Sequence, residues 1–265
     1  AQEMTARTLQ TNGLRAEGIT ALIDLPIAQR GYFDAVLIDL PKSRGRLRRW
    51  LLLARQALKP GGKLFLAGAK QNGILSAQQD AEALFGRSLT PAYRKGSRLV
   101  NCLKQPAGKD DPAWAAEPGA APGSWRQFDA VLAGRSLTLS SLPGVFSYDH
   151  LDEGTALLLE HLPVQPGERV LDVGCGCGPI GIAAGLSAGV QAASQVELID
   201  SDLEAIACAR RNLQQAGLPP ESAYPNDGIP AGKEPAFDWV LTNPPFHTGQ
   251  QQAYEMALVF IAQPQ

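Results

Sequence analysis

The chain has 265 residues, 45% of them hydrophobic and 19% charged, which sets aside a disordered or collagen-like polymer and allows one or two globular domains of roughly 100–200 residues. Its four cysteines (Cys102, Cys175, Cys177, Cys208) and three scattered histidines form no Cys-x-x-Cys pair or ligand cluster, so neither a disulfide framework nor a metal site is expected. With no apolar run of roughly 18–20 residues and no signal-peptide pattern, the expectation is a cytoplasmic protein without a membrane segment.

The formal net charge of −2 conceals an asymmetry. Residues 1–104 hold 17 basic and 7 acidic residues, whereas the remainder holds 7 and 19. Opposite blocks of this kind suit a polyanion partner for the front half, or mutual attraction of the halves.

In chain order, the first signal is a repeat. Ala1–Pro41 pairs with Ala205–Pro245 without a gap at an offset of 204, and 13 of the 41 pairs are identical. The matches include Gly13/Gly217 followed by Leu14/Leu218, where glycine suits the left-handed cap of a helix. They also include Phe33-Asp34 and Phe237-Asp238, each opening a buried strand (Phe33–Asp39 and Phe237–Asn243). The pattern predicts a duplicated α/β domain with mostly parallel sheets. After the first strand comes the densest basic stretch, Lys42, Arg44, Arg46, Arg48 and Arg49, which suits phosphate groups or a solvated face. Gly61–Leu66 reads as a turn and strand, and Arg98–Leu103 as a further strand. Residues 105–125, rich in Pro, Ala and Gly, read as a linker between a basic domain (1–104) and a second domain (126–265). The second copy stops at Gln265, the match of Gly61, before any counterpart of the later strands. The expectation is a fragment, because a long sheet edge would otherwise stand uncovered.

Arg169–Val173 is an apolar strand, followed by Gly174-Cys175-Gly176-Cys177-Gly178-Pro179-Ile180-Gly181 and a helix of small residues. Glycines let the backbone approach a ligand, a helix N-terminus offers free N–H groups, and Pro179 suits the first turn. Gly176-x-Gly178-x-x-Gly181 also satisfies the dinucleotide fingerprint. Asp172 separates the two possibilities. A carboxylate at that position can address the cationic methionine end of S-adenosylmethionine and would repel a pyrophosphate. Asp200, at the end of the next strand, is placed for ribose hydroxyls, and Asn226 or Asp227 for the adenine amine. The candidate cofactor residues are therefore Asp172, Gly174, Cys175, Gly176, Gly178, Asp200, Asn226 and Asp227, with Asn243 beside the methyl group.

Phe237–Thr242 forms a strand that ends in Asn243-Pro244-Pro245-Phe246, the candidate catalytic tetrapeptide. The Asn243 oxygen and the Pro244 carbonyl can accept the hydrogens of a planar amine, Pro245 stiffens the corner, and Phe246 offers a face for stacking a base. His247 follows, and no proton-transfer role is assigned to it.

Taken together, Leu137–Ser147, Leu151-Asp152-x-Gly154, the Asp172 loop and Asn243-Pro244-Pro245-Phe246-His247-x-Gly249 resemble the bacterial ribosomal RNA guanine-N2 methyltransferases, the small-subunit enzymes most of all. Asn72-Gly73-Ile74-x-Ser76 extends the resemblance to the front half. The resemblance implies duplicated Rossmann-like class I methyltransferase domains, S-adenosylmethionine as cofactor, and ribosomal RNA or a ribosomal subunit as partner. It also implies a front copy that has lost catalysis, with Asp39 and Lys42 in place of Asn243 and Phe246. Two alternatives remain open: another planar amine (a protein glutamine or adenine N6), and a non-catalytic RNA-binding protein with a vestigial pocket. A nicotinamide dehydrogenase would leave the tetrapeptide unexplained.

Overall fold

The structure, a computed structural model, describes residues 10–13, 23–106, 110–189, 195–228 and 237–244. They fall into two compact units. One takes in Asp24–Gln127 and Ser141–Gly144, and the other is built chiefly from Phe128–Ser140 and the residues from Val145 on.

The first unit opens with β1 (Phe33–Asp39), α1 (Arg44–Ala57) and β2 (Leu58–Ala69). The side chain of Ser43 caps α1 by accepting from Arg46 N, and Leu47, Leu51, Leu52 and Ala54 recur on its buried face. Leu58, Leu64 and Leu66 of β2 meet that face. Next come α2 (Ile74–Phe85), β3 (Ser88–Arg94) and β4 (Ser97–Leu103). The sheet is ordered β1-β2-β4-β3. Only β1 and β2 run parallel; β4 is antiparallel to both of its neighbours. This sheet is mixed rather than mostly parallel, because β3 and β4 are joined by a tight turn, which permits only an antiparallel pair. Within the stretch expected as a linker, Trp114, Ala115 and Ala120 are buried in the core of this unit.

Three arginines of the basic run are engaged by partners within their own unit. Arg44 binds both oxygens of Asp80 at 2.7 and 2.9 Å. Arg48 adds a bond to Glu117 at 2.8 Å and lies over the Trp114 ring. Arg49, 1% exposed, donates to the carbonyls of Gly119 and Ala121 and pairs with Asp24. These guanidinium groups hold their own unit together. Charge density along the chain does not reveal these acceptors, 25–72 residues away.

The second unit contains the hairpin β5 (Arg126–Leu132) and β6 (Arg135–Ser141), then α3 (Glu153–Glu160), β7 (Val170–Val173), α4 (Pro179–Ala188), β8 (Val196–Asp200), α5 (Leu203–Ala216), β9 (Ala223–Pro225) and β10 (Trp239–Leu241). Its sheet, ordered β10-β7-β8-β9, is parallel throughout. All four residues of β7 are buried, as expected of a central strand covered on both faces. Eight of the ten residues of α4 are buried, so its run of Gly, Ala and Ile is apolar on every side. The closest approach is at Gly181, where a Cβ would stand 2.4 Å from the Leu198 side chain. Asp238 clamps β10 onto β7 by accepting from Arg169 N at 2.8 Å.

Candidate active site

From β7 the chain winds outward through β8 to β9 and then returns to the other side of β7 as β10. In an open parallel sheet such a reversal leaves a crevice beyond the carboxyl ends of the strands, where ligands bind. A cavity of about 300 Å³ lies there. Val173, Gly174 and Gly176 form one wall, and Asp200 and Asp202 at the end of β8 form the next. Asn243 and Pro244 arrive from β10, and Asp227 and Phe146 also line the cavity. The register Leu241↔Asp172 brings Asn243 level with Gly174.

The glycine loop is shaped by hydrogen bonds that the sequence does not reveal. Gly174 and Gly176 have φ of +71° and +56°, a region open to glycine at little cost. Gly176 N donates to Asp200 Oδ2 at 3.0 Å, and Asp202 N donates to Asp200 Oδ1 at 2.8 Å. Asp200 thus fixes the loop while its carboxylate lines the cavity.

Four expected cofactor residues lie elsewhere. Asp172 is fully buried and does not line the cavity; its Oδ2 accepts from Gly181 N at 2.8 Å, bracing the start of α4. Burial pushes its carboxyl up to about 7, opposed by the Gly181 N–H and helped by the charge of Asp200. Cys175 is buried beneath the loop, its thiol raised well above the ordinary value by burial; its backbone N–H donates to Ile199 O at 3.0 Å and its thiol to Gly176 O at 3.7 Å. Gly178 caps α4 and packs against Ala209. Asn226 spends its amide nitrogen on Gly228 O at 2.8 Å, so Asp227 is the member of that pair that faces the cavity. Spacing locates a loop but does not tell its exposed side from its packed side.

Asn243 is held from behind. Its Nδ2 donates to Asp152 Oδ2 at 2.9 Å and to Thr155 Oγ1 at 2.8 Å. Asp152 is also the N-cap of α3, accepting from Thr155 N at 2.9 Å. That N–H, with the Asn243 amide adding to it, holds the Asp152 carboxyl below its ordinary value, so it stays ionised. An ionised carboxylate only accepts, which fixes the amide nitrogen of Asn243 toward Asp152 and leaves Oδ1 for another donor. A Cβ at Gly154 would stand 3.1 Å from Asp152 Oδ2 and 3.7 Å from both amide atoms of Asn243, which accounts for glycine in Leu151-Asp152-x-Gly154. Pro245, Phe246 and His247 lie outside the described residues.

Asp152, Thr155 and Phe146 were not assigned roles on sequence. For the first two a signal existed, since Asp-x-x-Thr ahead of a leucine run is a helix start. Phe146 sits in an aperiodic segment and gives none.

The cavity suits a cationic nucleoside ligand. Asp200, Asp202 and Asp227 line it and, among the described residues, no Lys or Arg does, a setting that attracts a sulfonium and an ammonium and repels a pyrophosphate. The carboxylate of Asp200 stands where vicinal hydroxyls would meet an acceptor.

Comparison with known proteins agrees. Residues 136–265 match the family described as Methyltransferase small domain. A protein of Pseudomonas entomophila (strain L48) named Ribosomal RNA small subunit methyltransferase C is 39% identical over 225 residues, covering 84% of this chain and 63% of that protein. One of the same name from Pseudomonas putida (strain GB-1) is 34% identical over 249 residues, covering 90% of this chain and 70% of that one. A solved structure, a T. Thermophilus 16S rRNA N2 G1207 methyltransferase in complex with AdoMet and guanosine, superposes with a TM-score of 0.67 at 28% identity, covering 92% of this chain and 62% of that one. The chain therefore spans a little under two thirds of the first of these relatives.

Proposed function

The chain belongs to the ribosomal RNA small subunit methyltransferase C family, and on that premise we propose that it transfers a methyl group from S-adenosylmethionine to the N2 amine of a guanine in 16S ribosomal RNA. The observation that carries this is the tethered Asn243 at the rim of an acid-lined nucleoside cavity.

Asp200 accepts the ribose hydroxyls, Asp227 accepts from the adenine amine, and the backbone of Gly174 and Gly176 lets the ligand lie close. When bound, the cofactor supplies an activated methyl on a sulfonium. Asn243 Oδ1 and the Pro244 carbonyl then accept the two hydrogens of the target amine and aim its lone pair. Because Asp152 and Thr155 already hold the amide nitrogen, little side-chain freedom is lost when the amine arrives. Pro245 keeps the corner stiff, and Phe246 stacks the base, worth ~1–3 kcal/mol. No strong base is required, since the amine proton becomes acidic only as the new bond forms. An unstacked guanine is the form of substrate that such a cavity admits.

Residues 126–265 carry the catalysis, and 1–104 are a degenerate second copy. The equivalent hydrogen bonds Gly13 N to Gln10 O (3.0 Å) and Gly217 N to Gln214 O (3.2 Å), with both glycines left-handed, support the duplication. The front copy has Asp39, Lys42 and Leu22-Ile23 where the other has Asn243, Phe246 and Asn226-Asp227. The partner is ribosomal RNA or the small subunit, and the compartment is the cytoplasm.

The test is transfer from labelled S-adenosylmethionine to 16S ribosomal RNA and to a ribosomal protein fraction, with nucleoside mass spectrometry of the product. N2-methylguanosine is expected. Label in N6-methyladenosine or in protein would overturn the substrate, and cofactor binding without transfer to either would leave a vestigial pocket.

A further inference from the structure

In the unit Asp24–Gln127 arginines of α1 serve its own carboxylates and carbonyls, and a different group of cations has no ion-pair partner among the described residues. β3 and β4 are joined by Lys95 and Gly96, both left-handed at φ +47° and +83°, the pattern of a two-residue type I′ turn. From Gly86 to Pro106 the chain carries Arg87, Arg94, Lys95, Arg98 and Lys104 and no Asp or Glu. The register sets Arg94 opposite Ser97 and Tyr93 opposite Arg98, whose guanidinium lies 5.7 Å from the centre of the Tyr93 ring. Lys70 joins this end of the sheet, because its backbone N–H donates to Gly96 O at 2.8 Å. Lys70, Arg94 and Lys95 are exposed and form no ion pair among the described residues, and Tyr93 keeps 63% of its surface exposed.

Two features ask for a ligand. Such turns favour Asn, Asp or Gly, so a lysine at a left-handed tip position is not explained by the turn itself. A large ring held in solvent against a guanidinium offers a flat face that folding leaves unused.

We infer that this hairpin end is an RNA-binding surface, in which Lys70, Arg94 and Lys95 contact backbone phosphates and Tyr93, backed by Arg98, stacks an unpaired base. The inference rests on the ribosomal RNA substrate proposed above, which makes the polyanion an RNA. The mixture of cations and one exposed ring matches single-stranded or loop RNA, whose bases are free to stack, better than duplex, whose bases are not. The backbone pairing of the turn keeps the spacing of the cations fixed before binding.

The test is fluorescence anisotropy of the whole chain with a fluorescein-labelled single-stranded RNA oligonucleotide between about 50 and 200 mM salt. R94E/K95E is expected to weaken binding at least tenfold and to flatten the plot of log affinity against log salt by about 1.4, the loss of two single-strand phosphate contacts. Tyr93→Ala is expected to weaken binding about five- to hundredfold with the salt slope unchanged. Lys95→Gly, which the turn geometry favours, should flatten the slope by about 0.7 while the melting temperature holds or rises. Affinity for S-adenosylmethionine should be unaltered in all three. Unchanged RNA affinity and slope in R94E/K95E and Lys95→Gly would overturn the surface while leaving the proposed chemistry standing. A wild-type chain that binds RNA yet methylates only protein would overturn the proposed substrate instead, and one with no affinity for RNA would overturn both.

Discussion

Asn243 and Asp152 are 91 residues apart in sequence and share a 2.9 Å hydrogen bond, with the amide nitrogen as donor. The same Asp152 oxygen caps α3. One carboxylate therefore starts a helix and sets the orientation of the side chain proposed to receive the substrate amine.

Asp152→Ser separates these duties. A serine hydroxyl caps a helix about as well as aspartate but is too short to reach Asn243. Stability should change by only a few tenths of a kcal/mol, whereas single-turnover methyl transfer should fall about ten- to hundredfold from mispositioning. Asp152→Asn can offer one amide oxygen to both donors and should stay near the wild-type rate. Equal losses in the two variants would mean that the charge of Asp152, not its grip on Asn243, is what matters.

Asn243→Ala removes the acceptor itself. Transfer should fall several hundredfold or more, on the scale of about 10²–10³ for one preorganised polar group, while calorimetric affinity for S-adenosylmethionine changes little. A variant that no longer binds the cofactor would show that Asn243 belongs to the cofactor site rather than to the amine.

Asp172 makes the ligand-free protein pH-sensitive. Burial raises its carboxyl from 3.8 in the unfolded chain to about 7 in the fold. Between those values the folded state binds the extra proton, so stability is greatest below about pH 4 for this group and is lost as pH rises through about 7. The span corresponds to something on the order of 4 kcal/mol. Asp172→Asn, which keeps an oxygen for Gly181 N, should raise the melting temperature at pH 8 and flatten its dependence between pH 5 and 7. A variant whose melting curve tracks wild type across that range would show that the carboxyl ionises elsewhere.

Asp80 is the acceptor on which Arg44 and Arg48 converge, and its side chain is nearly buried. Asp80→Asn should destabilise the chain by about 1–3 kcal/mol in urea, less than a fully buried pair because Arg44 is about half exposed. The same logic says that reversing the charges of α1 unfolds this unit before it reports on RNA. An unmoved unfolding midpoint in Asp80→Asn would show that Arg44 and Arg48 do not hold this unit together through Asp80.

What sequence made legible was the part governed by local pattern. The glycine loop between β7 and α4, the end of β8 at Asp200 and the strand leading to Asn243 all stand where periodicity and turn chemistry put them. Illegible was which way each side chain turns. Asp172, Cys175, Gly178 and Asn226 lie within one or two residues of the cavity wall yet serve packing or backbone bonds. The contact of Asp152 with Asn243, and those of the α1 arginines with Asp80 and Glu117, join distant segments, and a single sequence holds no trace of such meetings.

Asp200 is occupied by two backbone N–H groups before any ligand arrives. On the proposed role of Asp200 in holding the ribose, selectivity for the nucleoside is welded to the shape of the loop, and a substitution there disturbs both. Asp227 carries no such second duty among the described residues, so divergence in which base the cavity tolerates has an inexpensive route through that position.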